Sequence, residues 1–379
     1  MGEDLKFTVA RTIKWNVIDR VMSQLLYAVT GVVLANTLTE EDFGLVGAIL
    51  VFQAFASLFV DSGFSSALIQ RKSPTQLDYS TVLWFNLGAA CVIYLLLFFS
   101  APLIADIFQG DERLIPLSRV MFLSFIINAT AIVQTNKLMK RMDVKMVAVS
   151  NSLGLIVSAV VGIYMAVTGW GAWAIVWQTI TLATVKSAVL WGTSGWLPSL
   201  SFSWAALNSF FKVGSGMMCS SFLNTVFQNV YSFFIGYKVG LVPLGYYTQA
   251  DKWSKMGIMS LSQALTASFL PLLSQVQDDP ERSARICGKT HRFTSYLLFP
   301  AMVLLMVMAA PIFHTLFGDK WDASIILFQI LLLRGIFTVL SLLYNNYIIS
   351  LGKSRLLVVT EVIRDSEAVI AIIVTLPYI

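Results

Sequence analysis

Long apolar stretches, separated by short clusters of charge, glycine and proline, run through the whole chain. Met146 to Val185 carries no charge, and neither does Tyr79 to Ala105. A bilayer core of about 30 Å is crossed by about 20 helical residues, so runs of this length match transmembrane helices. Bounding the runs by charge, Gly and Pro predicts about eleven spans, at 15–38, 43–69, 79–103, 114–136, 147–168, 171–192, 212–237, 245–273, 293–314, 323–349 and 355–377. All are expected to be helical, because an isolated strand cannot satisfy its backbone groups in lipid.

Composition agrees. Of 379 residues 57% are apolar and 12% charged, too few charges to coat a soluble globule. Cys91, Cys219 and Cys287 form neither a disulfide framework nor a C-x-x-C pair and are read as packing residues. The N-terminus runs from Lys6, Arg11 and Lys14 into a long helix without an A-x-A site, so the first span is expected to stay as a signal anchor.

The basic residues set the orientation. With the N-terminus inside, inner segments carry Lys6, Arg11, Lys14, Arg71, Lys72, Lys137, Lys140, Arg141, Lys145, Lys212, Arg282, Arg285, Lys289, Arg292, Lys353 and Arg355. Outer loops carry Arg113, Lys238 and Lys320. The positive-inside bias makes the N-terminus cytoplasmic. It also accounts for the net charge of +5 without a nucleic-acid partner.

An internal repeat organises the spans. Ala101-Pro102-Leu103-Ile104, with Phe108 and Gly110-Asp111, returns as Ala310-Pro311-Ile312-Phe313, with Phe317 and Gly318-Asp319. Phe43-Gly44 matches Leu244-Gly245, Asn136 and Lys145 match Asn346 and Arg355, and Gln24 and Tyr27 match Gln228 and Tyr231. The matches keep order and a nearly constant offset, which predicts two six-helix bundles in the same orientation, as in secondary transporters. The expected division is an N-terminal lobe at 1–195 with spans 1 to 6, an interfacial linker at 196–211, and a C-terminal lobe at 212–379 with spans 7 to 11. Ile379 aligns with Gly169, so the sixth helix of the second lobe is expected to be missing from this truncated sequence. Gly195 and Pro198 break the helix between the lobes, where Trp196, Phe202 and Trp204 suit a membrane interface and a hinge.

Ionisable groups inside spans are the candidate chemistry, since each costs about 2.5–3.5 kcal/mol at mid-bilayer. Asp19, Arg119 and Lys186 lie near helix ends and are expected to snorkel. Asn16, Arg20, Gln24, Tyr27 and Gly31 share one face of the first span. Ser221, Asn224, Gln228 and Tyr231 repeat that stripe in the seventh, and Lys252, Lys255, Met259, Gln263 and Thr266 in the eighth. Arg334 sits mid-way along the tenth. Glu361, Arg364 and Asp365 share a face of the eleventh, where they could pair. One reading has these groups pairing inside each bundle. The other lines a water-filled cleft, with Arg20, Lys252, Lys255, Arg334 and Arg364 as cationic partners for an anionic substrate such as a phosphate. Asp61 and Glu361 are candidates to carry a coupling proton or sodium ion, or to pair locally.

Signals for an enzyme are poor. His291 and His314 read as helix-boundary residues, and no metal-ligand spacing, phosphate loop or nucleophile elbow is found. The reading is a non-enzyme without metal or cofactor.

Leu38-Thr39-Glu40-Glu41-Asp42-Phe43-Gly44, Asp61-Ser62-Gly63-Phe64, Ala67-Leu68-Ile69-Gln70-Arg71 and Asp78-Tyr79-Ser80-Thr81 resemble the N-terminal half of the polysaccharide transporter family, the Wzx-like oligosaccharide flippases. That family belongs to the multidrug/oligosaccharidyl-lipid/polysaccharide exporter superfamily. Gly245-Tyr246-Tyr247, Ala250, Lys252, Pro271 and Gln275 resemble its second half. The resemblance implies an all-α integral membrane protein, a V-shaped pair of six-helix bundles around a central cavity, in a bacterial inner membrane. It implies flipping of an undecaprenyl-diphosphate-linked oligosaccharide, a unit of O-antigen, capsule or exopolysaccharide, toward the periplasmic leaflet. Membrane lipids and other polysaccharide-assembly proteins are the partners it implies. Two alternatives stand beside it: a multidrug or cation antiporter of the same superfamily, and a membrane polysaccharide polymerase or ligase.

Overall fold

The computed structural model describes residues 2–379 except 62–63, 267–268, 270–272 and 274–278, and beyond Leu351 it describes only 356, 359–360, 363–364, 366–367, 370 and 374. Side chains at 2–11, 13, 59–61, 66, 70, 212–220, 223, 263–266 and 280 are likewise outside the description. The described residues are mostly helical, with no strand among them. In order they form α1 (Gly2–Thr37), α2 (Glu40–Asp61), α3 (Phe64–Gln70), α4 (Gln76–Ile107), α5 (Leu114–Met121), α6 (Leu123–Lys140), α7 (Val144–Val167), α8 (Trp173–Ser194) and α9 (Trp204–Phe234). A π-helical turn at Ile235–Val239 leads to α10 (Leu241–Thr266), followed by α11 (Pro280–Val307), α12 (Ala309–Phe317) and α13 (Asp322–Ser350). Among the described residues, eight helical stretches are long and apolar enough to cross a bilayer. The chain is a multi-pass α-helical membrane protein. Helices α9 and α10 stand where the seventh and eighth spans are expected and are not among those eight, and most of the eleventh lies outside the described residues.

Local chemistry fixes where the first helices begin. Thr39 and Asp42 form a reciprocal cap: the Asp42 backbone N–H donates to Thr39 Oγ1 (3.2 Å), and the Thr39 N–H donates to Asp42 Oδ2 (3.0 Å). Thr75 and Asp78 repeat the device at the start of α4, at 3.2 and 2.8 Å. Each pair satisfies backbone donors that a helix start leaves open. Gly110 and Gly318 take positive φ, 76° and 81°, at the ends of the duplicated Ala-Pro segments. The two copies differ before that turn. Pro102 lies inside the continuous α4, whereas the second copy breaks at Met308, between α11 and α12.

The chain divides into two compact units, residues 1–244 and 245–379. In the first, α7 packs along α8 and α1, α8 packs on α6, and α6 packs on α4. The core runs through Ile49, Phe108, Leu117, Phe122, Phe125 and Leu244, with a second cluster of Phe64, Leu68, Val82, Trp196 and Phe210. Helix α9, which the repeat assigns to the second half, packs here on α2, α3 and α4. Aromatic contacts hold it there: Phe211 with Phe64 and Phe85, Phe222 with Phe55, and Phe233 with Phe108. Gly44 lies against the Leu241 carbonyl so closely that a Cβ would overlap it. In the second unit α11 packs on α13, and Gly335 of α13 leaves room for the Ile258 side chain of α10.

The expected interfacial linker is an extended strap over 196–203, and residues 204–211 already belong to α9. Gly195 ends α8 in the left-handed region (φ 57°). The strap is fastened to the first turns of α4. Trp84 Nε1 donates to the Ser199 carbonyl (2.9 Å), the Ser199 N–H to Ser80 Oγ (3.0 Å), the Ser203 N–H to Thr81 Oγ1 (3.1 Å), and Gln76 Nε2 to the Leu197 carbonyl (2.7 Å). Leu197, Leu200 and Trp204 point away, 76%, 93% and 76% exposed. That split, polar groups inward and apolar groups outward, suits a segment lying against lipid.

Candidate functional site

The second unit holds a three-residue charge cluster. Asp251 and Lys255 stand one turn apart on α10, and Lys255 Nζ lies 2.6 Å from Asp251 Oδ2. Arg334 comes from α13, its Nη2 3.4 Å from Asp251 Oδ1. The missing Cβ of Gly335, next in sequence, lets α13 approach Ile258 and brings this guanidinium to α10. Two of the expected cationic residues, Lys255 and Arg334, therefore meet on one carboxylate. Both are 42% exposed, while Asp251 is 17% exposed. Lys252, half-buried, adds a third positive charge on α10, its ammonium 5.7 Å from the Trp253 ring. The i,i+4 spacing of Asp251 to Lys255 is a signal the sequence carries, whereas nothing local points from either residue to Arg334.

The first unit carries the other expected polar stripes. Arg20 and Tyr27 are exposed on α1 and Gln24 is half-buried. On α9, Gln228 Nε2 donates to Asn224 Oδ1 (3.1 Å), both exposed, and Tyr231 is half-buried. Arg364 is exposed. The side chains of Asp61, Gln263 and Thr266, together with Glu361 and Asp365, lie outside the described residues.

The three residues expected to snorkel are each half-buried. Asn151 of α7 donates to Asp19 Oδ1 (3.0 Å) and to Ser23 Oγ (3.1 Å), which ties α1 to α7. Arg119 Nε donates to the Phe98 carbonyl (3.2 Å), with its guanidinium 4.3 Å from the Phe98 ring centre. Lys186 lines a cavity of about 300 Å³ inside the first unit with Gln53, Ser57, Ser65, Asn128 and Asn136. For Asp19 and Arg119 a neighbouring helix supplies a polar contact.

The loop groups have their own order. Arg113 grips Asp111 with two nitrogens, Nε to Oδ1 (3.0 Å) and Nη2 to Oδ2 (2.6 Å), and also pairs with Glu41. The hydrogen bonds that Arg113 donates hold the Asp111 carboxyl below its usual range, and acceptance by Asp111 and Glu41 raises the Arg113 guanidinium. In the second copy of this turn His314 Nε2 meets Asp322 Oδ1 at 2.8 Å, with Asp319 beside them. These three exposed side chains could offer ligand atoms to a metal ion, a grouping with no counterpart in the sequence reading.

Comparisons with known proteins match these features. The chain is 27% identical over 358 residues to the succinoglycan biosynthesis transport protein ExoT of Rhizobium meliloti (strain 1021), covering 94% of this chain and 72% of that protein. It is 27% identical to the lipopolysaccharide biosynthesis protein WzxC of Escherichia coli (strain K12), covering 85% and 66%. It is 25% identical to the teichuronic acid biosynthesis protein TuaB of Bacillus subtilis (strain 168), covering 90% and 71%. Among solved structures, the lipid II flippase MurJ in an inward closed conformation superposes with a TM-score of 0.76 at 15% identity, over 97% of this chain and 82% of that one. An inward-facing multidrug resistance transporter of the MATE family, in the MOP superfamily, superposes at 0.66 and 15% identity, over 90% and 84%. These likenesses establish the fold. The family described as polysaccharide biosynthesis protein matches residues 33–326, and the chain belongs to that family.

Proposed function

We propose that the chain flips an undecaprenyl-diphosphate-linked oligosaccharide from the cytoplasmic to the periplasmic leaflet of a bacterial inner membrane, by alternating access and with its N-terminus in the cytoplasm. The observation that carries this reading is the cluster of Lys255 and Arg334 on Asp251, with Lys252 next to Asp251 in sequence: three cations and one carboxylate on two neighbouring helices. Excess positive charge there suits a diphosphate crossing the bilayer, because arginine and lysine are the side chains that neutralise phosphate. Relatives named for succinoglycan transport, lipopolysaccharide biosynthesis and teichuronic acid biosynthesis support the substrate class. Arg20, Gln24, Tyr27, Asn224, Gln228, Tyr231 and Arg364 are proposed to contact the sugar or phosphate. Asp61 and Glu361 are proposed to couple transport to a proton or sodium ion. The reading assigns no covalent step to the chain.

The test is reconstitution in liposomes with a fluorescent undecaprenyl-diphosphate oligosaccharide, read by quenching of outer-leaflet probe. Flipping is expected for the wild-type chain, with at least a ten-fold loss in the double variant Lys255→Ala, Arg334→Ala. No flipping by the wild-type chain would refute the reading; an unchanged rate in the double variant would remove these residues from it. The fold is shared with a multidrug resistance transporter of the MATE family, but an exporter of cationic drugs is served by acidic groups, and the charge balance of this cluster has the opposite sign.

A further inference from the structure

We infer that Asp251 is an internal stand-in for the diphosphate, occupying the Lys255–Arg334 site until the lipid-borne anion displaces it. This inference rests on the flippase reading and adds to it a residue that sets substrate affinity. Among the described residues, Asp251 is the partner of both cations, and neither side chain has another. The match is uneven. Lys255 Nζ sits at 2.6 Å, a strong contact, whereas Arg334 reaches the second oxygen through one nitrogen at 3.4 Å. A guanidinium is built to hold an oxyanion with two parallel donors, and this carboxylate uses one of them at the limit of hydrogen-bond length. The two cations come from different helices, and one carboxylate cannot give each of them full coordination. A diphosphate has more oxygens and more charge, and spans the two positions better. The cations are also far more open than the carboxylate between them, so an incoming anion can meet them first.

The inference makes a prediction opposite in sign to a structural role. If Asp251 only positions the two cations, neutralising it weakens anion binding. If it competes with the ligand, neutralising it strengthens binding. The experiment is calorimetric titration of the purified full chain in detergent with inorganic pyrophosphate and, separately, with undecaprenyl diphosphate. Asp251→Asn is expected to bind both about ten-fold tighter than wild type, and Arg334→Gln and Lys255→Gln to bind both at least ten-fold more weakly. Asp251→Ser serves as the second neutral variant where Asp251→Asn does not fold. Equal or weaker binding in a folded neutral variant overturns the inference. Tightening for pyrophosphate but not for the lipid overturns the lipid-borne source. Its failure is separable from that of the flippase reading. A wild-type chain that flips lipid while Asp251→Asn binds no tighter defeats only the stand-in role; a chain that shows the tightening but flips nothing defeats only the transport reading.

Discussion

Asp42 accepts a hydrogen bond at 2.8 Å from the backbone N–H of Ala172, so the side chain that caps α2 also holds the start of α8. One oxygen serves the cap and the other serves a helix 130 residues away in sequence. Gly171 makes room for it, with φ at 55° and Asp42 Oδ1 2.8 Å from where a Cβ would stand.

Asp42→Ala removes both jobs and leaves the Ala172 N–H without its acceptor. A lost cap costs about 0.5–2 kcal/mol, and an orphaned donor about 1–3 kcal/mol where buried. The variant is expected to melt at lower temperature in detergent, whereas Thr39→Ser, which keeps the hydroxyl, stays near wild type. Equal melting of Asp42→Ala and wild type would show that the contact contributes nothing.

Gly44→Ala places a methyl group on the Leu241 carbonyl, which is backbone and cannot rotate away. Overpacking of this kind costs about 1–3 kcal/mol and occasionally more. Reduced yield of folded protein by fluorescence-detected size exclusion is expected. A normal monodisperse peak with unchanged melting temperature would contradict the close approach.

Acid should loosen the outer turn. Because Asp111's folded-state carboxyl is held below its usual range, its contribution is present above about pH 3.9 and is lost as pH falls through the lower folded value. The pair lies in a surface turn, with the Arg113 side chain 53% exposed, so screening limits the effect to about 1 kcal/mol or less. Melting curves of wild type and Asp111→Asn are expected to differ at pH 6 and to converge at the acid end. Parallel curves at every pH would remove Asp111 from the acid response.

Gln249 is fully buried on α10, and neither its amide nitrogen nor its oxygen has a hydrogen-bond partner among the described residues. Replacing an unsatisfied buried polar group by an apolar one of similar shape is neutral or stabilising. Gln249→Met is expected to raise the melting temperature or leave it unchanged. A fall equivalent to more than about 1 kcal/mol would mean that the amide is satisfied in the membrane.

Much was legible in the sequence because the cues are local. Uncharged runs such as Tyr79 to Ala105 give helices, since a membrane offers the backbone no other partner. The motif residues Asp42 and Asp78 are helix caps made over three positions of chain. The spacing of Asp251 and Lys255 also lies within one helical turn. Other features depended on which helix lies against which. Periodicity orients a polar face but does not name its neighbour, so the contacts of Asp19 with Asn151 and of Arg119 with Phe98 were not legible.

By itself, then, the sequence determined the helical membrane class, the helix starts and the positions of charge, because each follows from hydrogen bonds and burial along a single segment. Tertiary structure alone decided that α9 joins α2, α3 and α4 through Phe55, Phe64, Phe85 and Phe108, that Lys186 looks into a polar cavity, and that Arg334 reaches Asp251. Those pairings are set by helix crossings such as Gly335 against Ile258, where the absence of one methyl group fixes the distance between two charges from separate helices.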